Sequence, residues 1–249
     1  MIKINKDLTK IPHSLSEEEA NKARKEIIDN KKYDKKYDNY YKKNDIKQLL
    51  KTIYNKKCAY CEKSILDNTP PIEHYRPKSV YYWLAFSWDN LLLCCEECNR
   101  SKSDKFEFNG DIAEFKDTDL QNIHILTKNY NDSEKPKMIN PEVEDVESKL
   151  IFFENGKIDS NDERVKYTIT TCKIDRPEAN EKRKTEWDKF KKELNNIRIS
   201  FNPPEKEIRK YIKKKFIEFS SPLTEYSAFL KFAIINFKIE KNTETKCQT

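Results

Sequence analysis

Two C-x2-C pairs, Cys58-Ala59-Tyr60-Cys61 and Cys95-Glu96-Glu97-Cys98, constrain this chain more than any other feature. Thiolates are soft ligands, and four of them at about 2.3 Å complete a tetrahedral Zn2+ site with no open position for chemistry. The two-residue spacer lets both sulfurs of a pair face one ion, and the 33 residues between Cys61 and Cys95 must then close into a loop around it. The spacing predicts a structural zinc site on Cys58, Cys61, Cys95 and Cys98. Cys94 competes with Cys95 for the register, and Cys95 is preferred because it repeats the spacing of the first pair. Cys172 and Cys247 have no partner spacing and read as a buried small hydrophobe and an exposed tail thiol.

Composition narrows the remainder. The 249 residues allow one large or two small domains, but hydrophobic residues are only 36%, charged residues 37% and mean hydropathy −0.97, so the core must be lean. Two glycines, Gly110 and Gly156, exclude a glycine-rich phosphate loop or a dinucleotide fingerprint. A net charge of +6 is compatible with a polyanionic partner without demanding one. The sequence has neither a signal-peptide run at its start nor an apolar stretch long enough for a bilayer. Together with seven cysteines, four in paired spacing, this reads as a soluble cytoplasmic protein with no membrane partner, using thiolates as metal ligands rather than disulfides.

Four segments are expected: an N-terminal helical segment (1–57), the cysteine-bracketed core (58–106), loops and a β-hairpin packed on it (107–160), and a C-terminal helical region (161–249). Ser16 with Glu19 has the pattern of a capping box, and Ala20, Ala23 and Ile27 follow at helical spacing. Residues 31–43 alternate lysine, aspartate and tyrosine. They read as a solvated linker with tyrosines anchored on the core, in preference to a stacking surface for nucleic acid. Asp45 can cap a helix whose stripe is Ile46, Leu49, Leu50 and Ile53. Asn155-Gly156 between two apolar runs predicts a hairpin. Pro177, Pro203-Pro204 and Ser221-Pro222 each precede a helical stripe, and the tail from Glu240 reads as polar and frayed.

The residues between and after the cysteines decide the chemistry. Ile72-Glu73-His74-Tyr75 reads as a short strand, Trp88-Asp89-Asn90-Leu91-Leu92-Leu93 as a loop entering a second strand, and Asn99-Arg100-Ser101-Lys102 as part of a helix. In residue type, order and spacing, 58–106 resembles the HNH endonuclease family. The resemblance implies an α+β, mostly helical fold with a ββα-metal (His-Me finger) core, flanked by N- and C-terminal helices. Within it, His74 is expected to take a proton from the attacking water, since imidazole titrates near neutral pH. Glu73 and Asn99 offer hard oxygens for one Mg2+ or Mn2+, although aspartate and histidine are common in those two family positions. Asn90 is expected to bond loop backbone and orient His74, and Lys102, one turn after Asn99, to reach phosphate. Arg76, Lys78 and Arg100 are candidate contacts to the nucleic-acid backbone, with solvated surface as the competing reading.

Glu73-His74-Tyr75-Arg76-Pro77-Lys78, Met138-Ile139-Asn140-Pro141, Phe152-Phe153-Glu154-Asn155-Gly156 and Asp175-Arg176 extend the similarity to the HNH subunit of bacterial anti-phage Septu and retron systems. That resemblance implies a nucleic-acid substrate and an ABC-type ATPase partner, and in retron versions a reverse transcriptase with its RNA–DNA product. The aromatic C-terminal helices are compatible with docking onto a large partner. Two other classes stay open: a stand-alone restriction-type enzyme, and a catalytically inactive zinc-stabilised nucleic-acid-binding or adaptor module.

Overall fold

The computed structural model describes residues 1–66 and 70–237; Cys247 and the tail from Glu240 lie outside them. Helix α1 (Glu18–Asp29) buries Ala20, Ala23, Arg24 and Ile27 on one face. Its N-cap is Glu17, which makes no side-chain capping bond, so the Ser16–Glu19 box does not form. A 3-10 turn (Lys35–Tyr37) and short helix α2 (Asp38–Tyr41) follow, with Tyr37 and Tyr41 buried and the lysines of 31–36 exposed. The anchored-tyrosine reading of this segment therefore describes it. Helix α3 (Asn44–Ile53) buries Ile46 and Leu50, with Leu49 and Ile53 packed beside them. Asp45 does not cap it; its carboxylate accepts from the amide and hydroxyl of Ser14 at 3.0 and 2.7 Å, fastening the helix to the preceding loop.

Strands β1 (Ile72–His74) and β2 (Leu91–Leu93) pair antiparallel in the register Ile72↔Leu93, Glu73↔Leu92, His74↔Leu91. Helix α4 (Glu96–Lys102) completes a ββα unit. All three leucines of β2 are fully buried, as expected of a strand covered on both faces. Between the strands the chain makes two 3-10 turns, Tyr82–Leu84 and Trp88–Asn90.

Beyond the unit come α5 (Thr127–Glu134), the hairpin of β3 (Ile151–Phe152) and β4 (Ile158–Asp159), and helices α6 (Glu163–Thr171), α7 (Pro177–Phe201), α8 (Glu205–Phe219) and α9 (Ser227–Asn236). The hairpin falls at Asn155-Gly156, but only Gly156 takes a positive φ, +81°. A side chain there would collide with the carbonyl of Asn180 on α7, so glycine is required twice over, by conformation and by close approach. Pro177 stands in the first turn of α7, where its missing N–H costs nothing. The last helix starts at Ser227, five residues beyond Pro222, because residues 221–224 form a turn of their own. One apolar core runs from Leu15 through the cysteines and β2 to Val165, Trp187 and Phe229, so the ββα unit is packed from both ends of the chain. Among the described residues no helix is long and apolar enough to cross a membrane.

Candidate active site

The sulfurs of Cys58, Cys61, Cys95 and Cys98 lie within 4.8 Å of one another, all buried. The first knuckle turns through Glu62 at positive φ, and the second presents Cys95 and Cys98 across the first turn of α4. Cys94 is outside this group although its sulfur is 3.6 Å from that of Cys58; burial pushes its thiol well up, which suits an inert packing residue. Burial opposes ionisation of Cys58, but S–H donors from Cys61, Cys94, Cys95 and Cys98 hold its thiol well below the ordinary range. Arg176, just before α7, brings its guanidinium within 3.5 Å of the Cys98 sulfur, 3.7 Å of Cys61 and 3.9 Å of Cys95. Four thiolates on a divalent ion carry an excess of two negative charges, and Arg176 offsets part of it. The donor set and its surroundings fit a soft, tetrahedral metal ion. Arg176 has no spacing relation to the cysteines, so nothing in the sequence marked it as their neighbour.

Successive strand residues point to opposite faces, and β1 therefore sends Glu73 and His74 different ways. Glu73 turns to α4, where the Lys102 ammonium donates to its Oε1 at 2.9 Å and to the His74 carbonyl at 2.7 Å. Burial raises the Glu73 carboxyl while Lys102 pulls it back toward ionisation. Its second oxygen, Oε2, is buried without a hydrogen-bond partner. An orphaned carboxylate oxygen costs more than the about 1–3 kcal/mol of a neutral group, so this atom is a ready hard ligand for a divalent cation. Asn99, one turn before Lys102 on α4, is partly exposed.

His74 is only 6% exposed. Its Nε2 lies 3.0 Å from the carbonyl oxygen of Ala85. A carbonyl can only accept, so Nε2 carries the proton and Nδ1 keeps its lone pair. Burial, reinforced by the charge of Lys78, lowers the imidazole to about 3, so it is neutral at physiological pH. Asn90, fully buried, accepts from the Arg76 amide at 2.7 Å and donates to the carbonyls of Arg76 and Leu84 at 3.0 and 3.2 Å. These bonds tie the exit of β1 to the turn that presents Ala85, fixing both partners of the His74 contact. The Tyr41 ring stands edge-on to the imidazole at 4.6 Å, so the N-terminal segment roofs the histidine.

Three of the cations expected to meet phosphate are spoken for. Lys102 is fully buried between Glu73 and β1. Arg76 is fully buried, paired with Glu134 at 2.6 Å and bonded to Asn131, among the rings of Tyr75, Tyr81, Phe106 and Tyr130. Lys78 donates to Asp38 at 2.8 Å and to the Tyr41 hydroxyl at 2.5 Å, fastening the roof. In this structure each of these three charges is paired with a carboxylate from another part of the chain rather than turned to open solvent. Arg100 alone of the four is open to solvent, 75% exposed, with Glu96 at 4.0 Å. Among the described residues no hydrogen bond joins the His74 ring to Glu73 or Asn99, and the four cysteines are the sole compact group of His, Cys, Asp and Glu ligand atoms.

Residues 58–105 match the family model described as HNH endonuclease. Over 75 residues the chain is 45% identical to Septu protein PtuB of Bacillus mycoides (strain KBAB4), covering 24% of this chain and 25% of that protein. Over 158 residues it is 26% identical to Septu protein PtuA of the same strain, covering 58% of this chain and 21% of that protein. The matches thus span about a quarter or less of these curated relatives' length. No solved structure matches. The chain carries an HNH endonuclease domain, seated at the ββα unit and its cysteine cluster.

Proposed function

We propose that this chain is a metal-dependent HNH endonuclease that hydrolyses phosphodiester bonds of nucleic acid, as the effector of a Septu-type anti-phage complex with an ABC-type ATPase; retron assemblies are the related setting. The observation that carries the reading is the His74 imidazole, neutral and bonded through Nε2–H to Ala85, inside an HNH domain. Nδ1 is then the acceptor for the proton of an attacking water. A phosphodiester anion entering beside the ring favours the imidazolium that forms, raising its basicity from the value of the closed site. Asn90 orients this base through backbone and touches no reacting atom. Lys102 positions Glu73 and β1. Glu73, through the free Oε2, and Asn99 are the residues that would hold Mg2+ or Mn2+, which when bound supplies charge neutralisation at the scissile phosphate. Zn2+ is assigned to the four sulfurs. Arg100 is the remaining candidate for a backbone contact.

The roof of Tyr41, Asp38 and Lys78 accounts for a nuclease that is restrained until a partner acts. Docking of that partner is assigned to the C-terminal helices, where Ile199, Phe201, Ile217 and Ile235 are exposed. Purified chain with Mg2+ or Mn2+, alone and with a neighbouring ATPase, is expected to cut nucleic acid, and His74→Ala to abolish cutting. Equal cutting by His74→Ala removes the mechanism, and salt-sensitive binding without cleavage under every metal and partner condition would favour a binding module.

A further inference from the structure

On the side of the molecule facing α1, a cavity of about 690 Å3 opens between that helix and residues 117–125. Its size falls within the roughly 300–1,000 Å3 typical of small-ligand sites. Of the charged residues at its wall, Arg24 is the buried one. This side chain is buried, its Nη1 donates to Asn21 at 2.6 Å, and its Nη2 reaches the carbonyls of Leu15 and Phe86 at 3.4 and 3.3 Å. Its Nε has no acceptor, and among the described residues it has no ion pair. Burial alone lowers the guanidinium to about 10. The contrast with Arg76, equally buried but matched by Glu134, is direct. A buried cation without an anion is costly, and the fold pairs Arg76 with a carboxylate while Arg24, a residue of the cavity lining, has none among the described residues.

We propose that this cavity binds a small nucleotide, of nucleoside-monophosphate size, with its phosphate on Arg24 and its base against Ile28 and Ile123. The ionisable lining groups Arg24, Lys25, Asp29 and Asp117 sum to zero, which gives a polyanionic strand no general attraction and leaves one buried guanidinium for one compact anion. The aliphatic side chains of Ile11, Ile28, Leu120, Ile123 and Ile125 in the walls suit the face of a base, while Gln121 and Asn122 offer amides for its edge. His124 adds a donor: its Nδ1 accepts from the Trp88 amide at 3.0 Å, so its proton is on Nε2.

The same contacts lead from the cavity to the active site. Arg24 holds the carbonyl of Phe86, next to Ala85 whose carbonyl fixes His74, and His124 holds the amide of Trp88, which opens the turn containing Asn90. An occupant is therefore felt by residues 84–90. That it would tune cleavage rests on the nuclease reading; binding does not.

The test is calorimetric titration of the full chain in its His74→Ala form, which cannot consume the ligand, with AMP, GMP, CMP and UMP, and with adenosine, inorganic phosphate and benzoate as comparison probes. At least one monophosphate is expected to bind one per chain, at least about tenfold tighter than its nucleoside or the simple anions. Leu120→Trp, at a half-exposed position on the cavity wall, should weaken it about tenfold or more without moving Tm. Arg24→Gln should erase the advantage of AMP over adenosine. Histidine 15N shifts should move at His124 on binding. No binding by any monophosphate at millimolar concentration, equal binding of phosphate or benzoate, or indifference to Leu120→Trp would each overturn the proposal, and none of these outcomes depends on whether the wild-type chain cuts nucleic acid.

Discussion

The cysteine cluster and the β1–β2–α4 face adjoin each other, yet they are built on opposite plans. The cluster is assembled from two local knuckles whose spacing already sets the geometry, and the distant Arg176 is added to it. The face is assembled from charges that are each tied to a remote segment: Arg76 to Glu134, Lys78 to Asp38, and Lys102 back to Glu73. Ligand spacing is thus a strong guide to a metal site, whereas the role of a cation depends on a partner that the sequence does not place beside it.

The comparison breaks first at the cluster. Stripping metal from the four thiolates, or Cys98→Ser, is expected to remove stabilisation on the order of 10 kcal/mol, seen as lost near-UV circular dichroism and released metal. A chain that keeps its tertiary signal after chelation would show the cluster to be dispensable. Next, Arg76→Met and Lys102→Met should each cost about 3–5 kcal/mol in urea unfolding, because the remaining Glu134 or Glu73 is left buried and unpaired. If either variant keeps its stability and instead loses salt-dependent nucleic-acid binding, the structural assignment is wrong.

A smaller effect comes from His124, lowered by burial, and then by Arg24, to about 4. The folded state holds it neutral against an ordinary value of 6.5, so the unfolded chain binds the proton first. The associated stability is present above pH 6.5 and drains away as pH falls toward 4, at most about 3 kcal/mol. His124→Asn should flatten that part of the stability profile, and an unchanged slope would assign it elsewhere. The smallest change is expected for exposed Arg100→Ala: stability within about 0.5 kcal/mol, and a salt slope of nucleic-acid binding reduced by about 1.

The ββα order, the cysteine register, the hairpin at Gly156 and the start of α7 could be read from sequence because each depends on neighbours within a few residues. The capping box at Ser16 and the cap at Asp45 could not, since both positions have alternatives: the helix starts at Glu18 without a side-chain cap, and Asp45 is taken by Ser14. Burial of Lys102 was equally hidden. Helical spacing puts it on the face of Asn99, but only the register of β1 decides that a carboxylate and a carbonyl meet its ammonium there. Tyr41 over His74 joins positions 33 apart with no pattern to announce it.

The central claim is a division of labour, with sulfurs holding the fold and Glu73, His74 and Asn99 acting on substrate with a second, exchangeable ion. This division is tested by withdrawing free Mg2+ and Mn2+ from an active preparation under conditions that leave thiolate-bound metal in place, while following metal content, Tm and cleavage together. The account predicts one retained ion per chain, an unmoved Tm, and cleavage that stops and returns on adding Mg2+ or Mn2+. Cleavage that continues without the exchangeable ion, or a Tm that collapses with it, would contradict the account.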